Sequence, residues 1–373
     1  MEMKKQKHYV SILKCISRKH LLLYMAFMMP TIMMIMNGLS LAIYWIGAVL
    51  INDAQDMQEK FTLFSDMVVF SSYAMQVVMS FMMLVMIFIM LPRASVAAKR
   101  ILEVLDTEPS IEDGTRDTFP VMKDGEVEFK DVSFKYPDAE EYVLEHISFS
   151  AKKGETIAFI GATGCGKSTA INLIPRFYDA TEGEVFVDGV NVKEYTQEAL
   201  HNKIGYVSQK AILFSGTIAD NVAYGENGKA PATQDDIAMA VKVAQASEFV
   251  EKKDQGYDGY VAQGGSNFSG GQKQRLSIAR AIARQPEILI FDDSFSALDY
   301  KTDRILREAL RKECKDATKI IVAQRIGTIR DADKIIVLDD GQIAGMGTHD
   351  ELMKNCEVYQ EIAYSQLSKE ELA

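Results

Sequence analysis

The sequence predicts two membrane-spanning helices followed by an α/β domain of the phosphate-loop nucleotide-binding type. Three observations carry that expectation. Leu21 to Ile51 and Met67 to Leu91 contain no charged residue, and each run is long enough to cross a bilayer. Composition shifts sharply along the chain: residues 1–100 carry a net +5 and sixteen of the twenty methionines, leaving −16 on residues 101–373. The stretch Gly161-Ala162-Thr163-Gly164-Cys165-Gly166-Lys167-Ser168-Thr169 fits G-x-x-x-x-G-K-[ST].

The membrane part is expected over residues 1–106, with spans at about 21–51 and 67–91. The first run exceeds the roughly 20 residues a span needs, so it tilts or protrudes. Pro30, Asn37 and Gly38 interrupt it. A kink at Pro30 is tolerated in a membrane helix, and Gly38 allows a neighbouring helix to approach closely. The connection Asn52–Asp66 carries Asp53, Asp56, Glu59 and Asp66 against Lys60. The outer flanks carry Lys4, Lys5, Lys7, Lys14, Arg18 and Lys19 on one side, and Arg93, Lys99 and Arg100 on the other. The positive-inside rule then puts both termini in the cytoplasm and the acidic connection outside a multi-pass chain of the cell membrane. The first run is too long for a signal-peptide core. The many methionines of both runs read as flexible apolar filler, or as an adaptable wall for varied apolar ligands. Asn37 and Gln76, the two amides of the spans, read as interhelical hydrogen-bonders.

After Pro92 the pattern Ile101, Leu102, Val104, Leu105 extends the second helix. Pro109, Gly114, Pro120 and Gly125 mark a linker over 107–124. The soluble domain follows at 125–367, with a tail at 368–373. Its acidity argues against nucleic acid as a partner, since a phosphate backbone demands a basic surface. Cys15, Cys165, Cys314 and Cys356 show no metal spacing, and a cysteine inside the glycine loop fits a reducing compartment without disulfides. Val127-Glu128-Phe129 and Val132-Ser133-Phe134 alternate like two edge strands. Tyr136, just beyond, is either an ordinary loop tyrosine or a platform for an adenine ring.

Glu155 to Ile160 is a short apolar run that reads as a buried strand, and Ala170 to Ile174 has a helical pattern. The glycine loop therefore lies between strand and helix. Glycines let backbone N–H groups turn toward phosphate oxygens, and the helix N-terminus adds positive potential. Lys167 reaches β- and γ-phosphates, and the Ser168 hydroxyl ligates Mg²⁺. ATP and Mg²⁺ are the expected cofactors. Thr233-Gln234-Asp235-Asp236 and Thr348-His349-Asp350-Glu351 fit capping boxes, the first opening a helix through Val243.

A second cluster is Asn267-Phe268-Ser269-Gly270-Gly271-Gln272-Lys273-Gln274-Arg275, leading into a helical stretch to Ala283. A serine and two glycines at a helix start make another anion site. Ile288-Leu289-Ile290-Phe291-Asp292-Asp293 follows, an apolar strand ending in carboxylates. Together these stretches resemble the ATP-binding-cassette (ABC) family from Gly125 to Leu367, and the two spans resemble the last two membrane helices of an exporter half. The resemblance implies an α/β domain with a helical subdomain between Gln209 and Ser269. It implies that Tyr136, Gly161 and Thr163 to Thr169 (Thr163, Gly164, Cys165, Gly166, Lys167, Ser168, Thr169) bind the nucleotide. Ser168, Gln209 and Asp292 support Mg²⁺, and Gln209 also senses the membrane domain. Ser269, Gly270, Gly271, Gln272 and Asp299, the last within Ser296-Ala297-Leu298-Asp299, serve the ATP of a second copy or a second protein.

Two positions depart from the family pattern. Asp293 stands where the family usually has glutamate, and Gln324 where it has a switch-loop histidine. Aspartate is one methylene short, and a misplacement of about 1 Å can cost on the order of 10²-fold. Glutamine donates a hydrogen bond but never becomes cationic. With Ser269 to Gln272 intact, this pairing resembles the catalytically degenerate half of a heterodimeric exporter, an ATPase whose own site is slow. A homodimer is the alternative. An exporter half has six membrane helices, so two spans imply a fragment of a longer gene or a product that needs other helices. Drug, lipid and peptide all remain open as cargo. The competing readings are a truncated ATP-binding product without transport and a soluble ABC ATPase, which the two uncharged spans disfavour.

Overall fold

The computed structural model describes residues 2–117, 124–137, 139–225 and 227–366, so the 368–373 tail lies outside the described residues. The chain forms two compact units, Met1–Glu108 and Pro109–Ala373.

The first unit is a hairpin of two long helices, Glu2–Asp53 and Met57–Leu105. Both contain segments long and apolar enough to cross a membrane, Pro30–Asp53 and Met57–Leu105. Helical structure continues through Pro30 and Pro92. The acidic connection is shorter than its charges suggest. The break in helix falls at Ala54 to Asp56, and Glu59 sits in the first turn of the second helix. Carboxylates there favour the positive end of the helix, which lets the helix begin early. Gly38 is not the packing glycine: a Cβ there would meet nothing within 4 Å. Gly47 takes that role, since a Cβ on it would collide with the Met67 side chain. Asn37 and Gln76 are both exposed, and among the described residues neither side chain hydrogen-bonds across to the other helix.

Among the described residues the second unit contains twelve strands: β1 (Val127–Phe134), β2 (Leu144–Ala151), β3 (Thr156–Ile160), β4 (Glu182–Val187), β5 (Val190–Asn191), β6 (Ile204–Val207), β7 (Gly216–Thr217), β8 (Tyr260–Val261), β9 (Ile288–Asp292), β10 (Thr318–Val322), β11 (Lys334–Asp339) and β12 (Gln342–Gly347). Six form the main sheet in the order β12-β11-β3-β10-β9-β6, parallel except for β12 at the edge. The central strands β3, β9, β10 and β11 each carry a continuous apolar run of at least three residues because both faces are covered. Side chains alternate between two apolar clusters. Ala158, Ile160, Leu289, Phe291, Ile321 and Val337 enter one, and Ile157, Phe159, Ile290, Ile320, Val322 and Ile336 the other. The first cluster also holds the apolar faces of the helices Gln234–Val243 and Gly270–Ala283.

The second cluster is closed by a four-stranded antiparallel sheet, β2-β1-β4-β5. The sequence reading of two edge strands fails here. Val127 to Phe134 is one strand, and it lies inside the sheet between β2 and β4. The register shifts between Phe129 and Val132, and Asp131 adopts a left-handed φ of 50°. A bulge of this kind interrupts the alternation midway, which is why one strand reads as two. The middle of the linker is tied to this unit: Gly114 N–H donates to Tyr195 O at 3.0 Å, and Gln197 N–H to Asp113 Oδ1 at 2.6 Å.

Candidate nucleotide site

Four neighbouring parallel strands deliver the site from their carboxyl ends, where an open α/β sheet places ligands. β3 runs into the glycine loop at Gly161, β10 into Gln324, β9 into Asp292 and Asp293, and β6 into Ser208 and Gln209. Adjacent strands lie about 4.8 Å apart, so residues distant in sequence become neighbours. Pairing of Val322 with Asp292 in β10 and β9 fixes the central register.

The loop's shape depends on glycine at two positions. Gly166 has φ of 94°, and a Cβ there would lie 2.6 Å from Leu144 Cδ2 and 2.9 Å from Val143 O. At Gly161 a Cβ would run into the Leu338 carbonyl. Thr163 and Gly164 are exposed at the tip, whereas Cys165, Lys167 and Thr169 are buried. Lys167 opens the helix Lys167–Asn172. Its Nζ donates to Gly161 O at 2.9 Å and Ala162 O at 2.6 Å, and lies 3.5 Å from Cys165 Sγ. The ammonium is therefore held inside the loop's own ring of acceptors.

Ser168 Oγ donates to Asp292 Oδ1 at 2.7 Å. Tyr206 OH, on β6, donates to Asn172 Oδ1 at 2.8 Å and to Asp292 Oδ2 at 3.3 Å. The pair fits Mg²⁺, a hard cation that takes oxygen ligands and fills its shell with water and substrate phosphate. Among the described residues no cluster of three or more acidic, histidine or cysteine side chains gathers, so phosphate oxygens would have to complete the shell. Tyr206 escaped the sequence reading, although its place three residues before Gln209 was a usable signal.

Asp293 is the junction of the remaining groups. Its Oδ2 accepts from Gln324 Nε2 at 2.8 Å and from Gln209 Nε2 at 3.2 Å. Gln209 thus spends its amide N–H on Asp293. The backbone at Asp293 has φ of 44°, a left-handed conformation that aspartate tolerates better than most residues. Burial pushes the Asp293 carboxyl above its usual range, and the charge of Asp292 adds to the rise; the amide bond from Gln209 acts the other way.

Tyr136 is half-buried, and its OH lies 3.0 Å from Thr169 Oγ1, so the ring stands beside the loop. It makes edge contacts with Phe134 and Tyr178 at centroid distances of 5.0 and 5.2 Å.

The Ser269 cluster is separate. Ser269 caps the helix Gly270–Ala283 in a reciprocal box with Gln272: Gln272 N–H donates to Ser269 Oγ at 3.3 Å, and Ser269 N–H to Gln272 Oε1 at 3.0 Å. Ser269 and Gly270 are exposed, and a Cβ on Gly270 would meet nothing within 4 Å. Among the described residues no hydrogen bond or ion pair joins this cluster to the glycine loop. Asp299 caps another helix, Tyr300–Glu313, by accepting from Thr302 N–H at 3.0 Å. That backbone bond holds its carboxyl below the usual range. Arg325, beside Gln324, reaches the carbonyls of Ser296 and Leu298 at 3.3 Å each.

The ABC transporter family matches residues 144–296. An uncharacterised ABC transporter ATP-binding protein of Mycobacterium bovis is 44% identical over 344 residues, 92% of this chain and 58% of that protein. The ATP-dependent lipid A-core flippase of Haemophilus influenzae is 42% identical over 276 residues, 74% of this chain and 46% of that protein. The solved structure of a bacterial Atm1-family ABC exporter with ATP bound superposes with a TM-score of 0.73 at 33% identity, over 82% of this chain and 53% of that one. The chain spans about half the length of the curated relatives it matches.

Proposed function

We propose that the chain, whose residues 144–296 match the ABC transporter family, is the ATP-binding and permease subunit of a membrane exporter, working in a pair of such domains. Support comes from the two long apolar helices and from relatives named as a flippase and a multidrug exporter. Both termini and the nucleotide domain lie in the cytoplasm on this reading. The glycine loop, Lys167 and the Tyr136 ring hold ATP. Ser168 and Asp292 hold Mg²⁺, which when bound neutralises phosphate charge. The exposed Ser269–Gln272 helix start docks on the ATP of the other domain, and closure of the pair drives the membrane helices. Two features of unlike character carry this reading: a lysine-bearing loop with an exposed tip and an unoccluded Gly270, with no hydrogen bond between them among the described residues.

We further propose that this chain's own site is the slow one and that its partner is a different exporter half. Asp293 and Gln324 hold one another at 2.8 Å. An aspartate one methylene short of glutamate, held by an amide that cannot become cationic, orients an attacking water only slowly. The two halves of the proposal separate under mutation in this chain alone. Asp293→Asn should lower the steady-state ATPase of the purified pair by less than about tenfold. Gly270→Asp puts a negative group where phosphate docks, and should lower it by about 10² or more. Equal losses would make this chain's own site the working one and would overturn the degenerate assignment.

A further inference from the structure

The short helix Ile326–Ile329 begins just after Gln324, and its N-cap residue, Arg325, makes no side-chain cap. Its first backbone N–H would be left without an intrahelical partner. The partner comes from 40 residues away. Ile326 N–H donates to Gln366 Oε1 at 2.9 Å. The other end of the same amide turns to Gln324: Gln366 Nε2 donates to Gln324 O at 2.8 Å. One side chain therefore grips the backbone on both sides of Arg325. Gln366 is exposed and belongs to neither apolar cluster. Its helix, Glu357–Gln366, is firmly seated: Tyr359 and Ala363 are fully buried, and Tyr359 OH lies 2.7 Å from His349 Nδ1.

The segment gripped in this way bears on two places. The Gln324 side chain contacts Asp293, and the Arg325 guanidinium contacts the carbonyls of Ser296 and Leu298. We propose that Gln366 is a positioning residue: its amide sets the Gln324–Ile326 backbone so that Gln324 faces Asp293, and the C-terminal helix thereby tunes turnover. The proposal concerns how the switch residue is held, and rests on the site reading above only for its effect on ATPase. A side chain locked by a neighbouring hydrogen bond holds a reacting group within the fraction of an ångström that catalysis needs.

The test uses the full chain in lipid nanodiscs, alone and with any partner half that restores turnover. Amide hydrogen exchange of the peptide containing Ile326 is the deciding measurement. Gln366→Ala should speed exchange at Ile326 by about tenfold or more, while Gln366→Glu, which keeps the acceptor, should preserve protection. Both should lower kcat measurably but by no more than Asp293→Asn does, with KM for ATP unchanged, because Gln324 O loses its donor in each. Within a Gln324→Ala background, Gln366→Ala should lower kcat no further. Unchanged Ile326 protection in Gln366→Ala overturns the proposal, as does a kcat loss that persists undiminished without Gln324. A chain that binds no ATP at all would instead sink the transporter reading, and the exchange measurement would still decide the clamp.

Discussion

The Asp293 carboxylate accepts a hydrogen bond from the Gln324 amide across 2.8 Å, and a second from Gln209 at 3.2 Å on the same oxygen. Three strands, β9, β10 and β6, thus converge on one atom. The carboxyl is buried and raised in pKa, first by desolvation and then by Asp292.

A pH dependence follows from that raised pKa. A carboxyl whose folded pKa lies above its unfolded value binds more protons when native, so its ionisation costs stability as pH rises through the window from 3.8 upward. Asp293→Asn should therefore raise the melting temperature at neutral pH. The gain should shrink on acidification and vanish below the unfolded value. Thermal unfolding of the full chain across pH checks this, and a gain that grows on acidification would contradict the sign.

Nucleotide affinity should depend on Lys167. Its Nζ sits among the loop carbonyls, within reach of a phosphate laid in the loop. Lys167→Ala removes a charge-assisted bond of about 1.5–3 kcal/mol, roughly ten- to a hundredfold in Kd. Titration of the full chain with MgATP measures it. Unchanged affinity would mean that this loop does not hold ATP.

Gly166→Ala should damage the loop itself. The substitution sets a Cβ against Leu144 and Val143 at a left-handed φ. The expected cost is about 1–3 kcal/mol of stability, together with weaker ATP binding. A melting temperature within a degree of wild type would show that the loop reshapes freely.

Topology is open to a labelling experiment. Gln55 lies in the turn between the two long helices. With native cysteines removed, Gln55→Cys should react with a membrane-impermeant maleimide in intact cells. Labelling only after lysis would reverse the orientation.

The main sheet was legible because its strands are buried on both faces, so Ile157–Ile160 and Ile288–Phe291 stand out as short apolar runs. The glycine loop and the Ser269 helix start were legible because each is contiguous in the sequence. The β1 strand was not, because its bulge at Asp131 breaks the alternation that identifies a strand. The acidic turn is shorter than its charges suggest because Glu59 sits in the first helical turn, near the positive end of the helix, and Asp66 lies further along the same helix. Gln366 carried no local signal at all: its partners, Gln324 and Ile326, meet it through tertiary packing.

Among the described residues, four helices of the second unit start with reciprocal caps, at Thr217, Thr233, Ser269 and Thr348. Three are closed by carboxylates, Asp220, Asp236 and Glu351, whose negative charge cancels the positive end of their own helix. At Ser269 the closing group is the neutral amide of Gln272. The cap geometry is kept while the electric field of that fourteen-residue helix is left uncancelled and pointing into solvent. A Gln272→Glu chain would fold with the same cap and yet present a quenched field, so the choice of amide over acid at this one position separates what the helix needs to exist from what it offers to an anion.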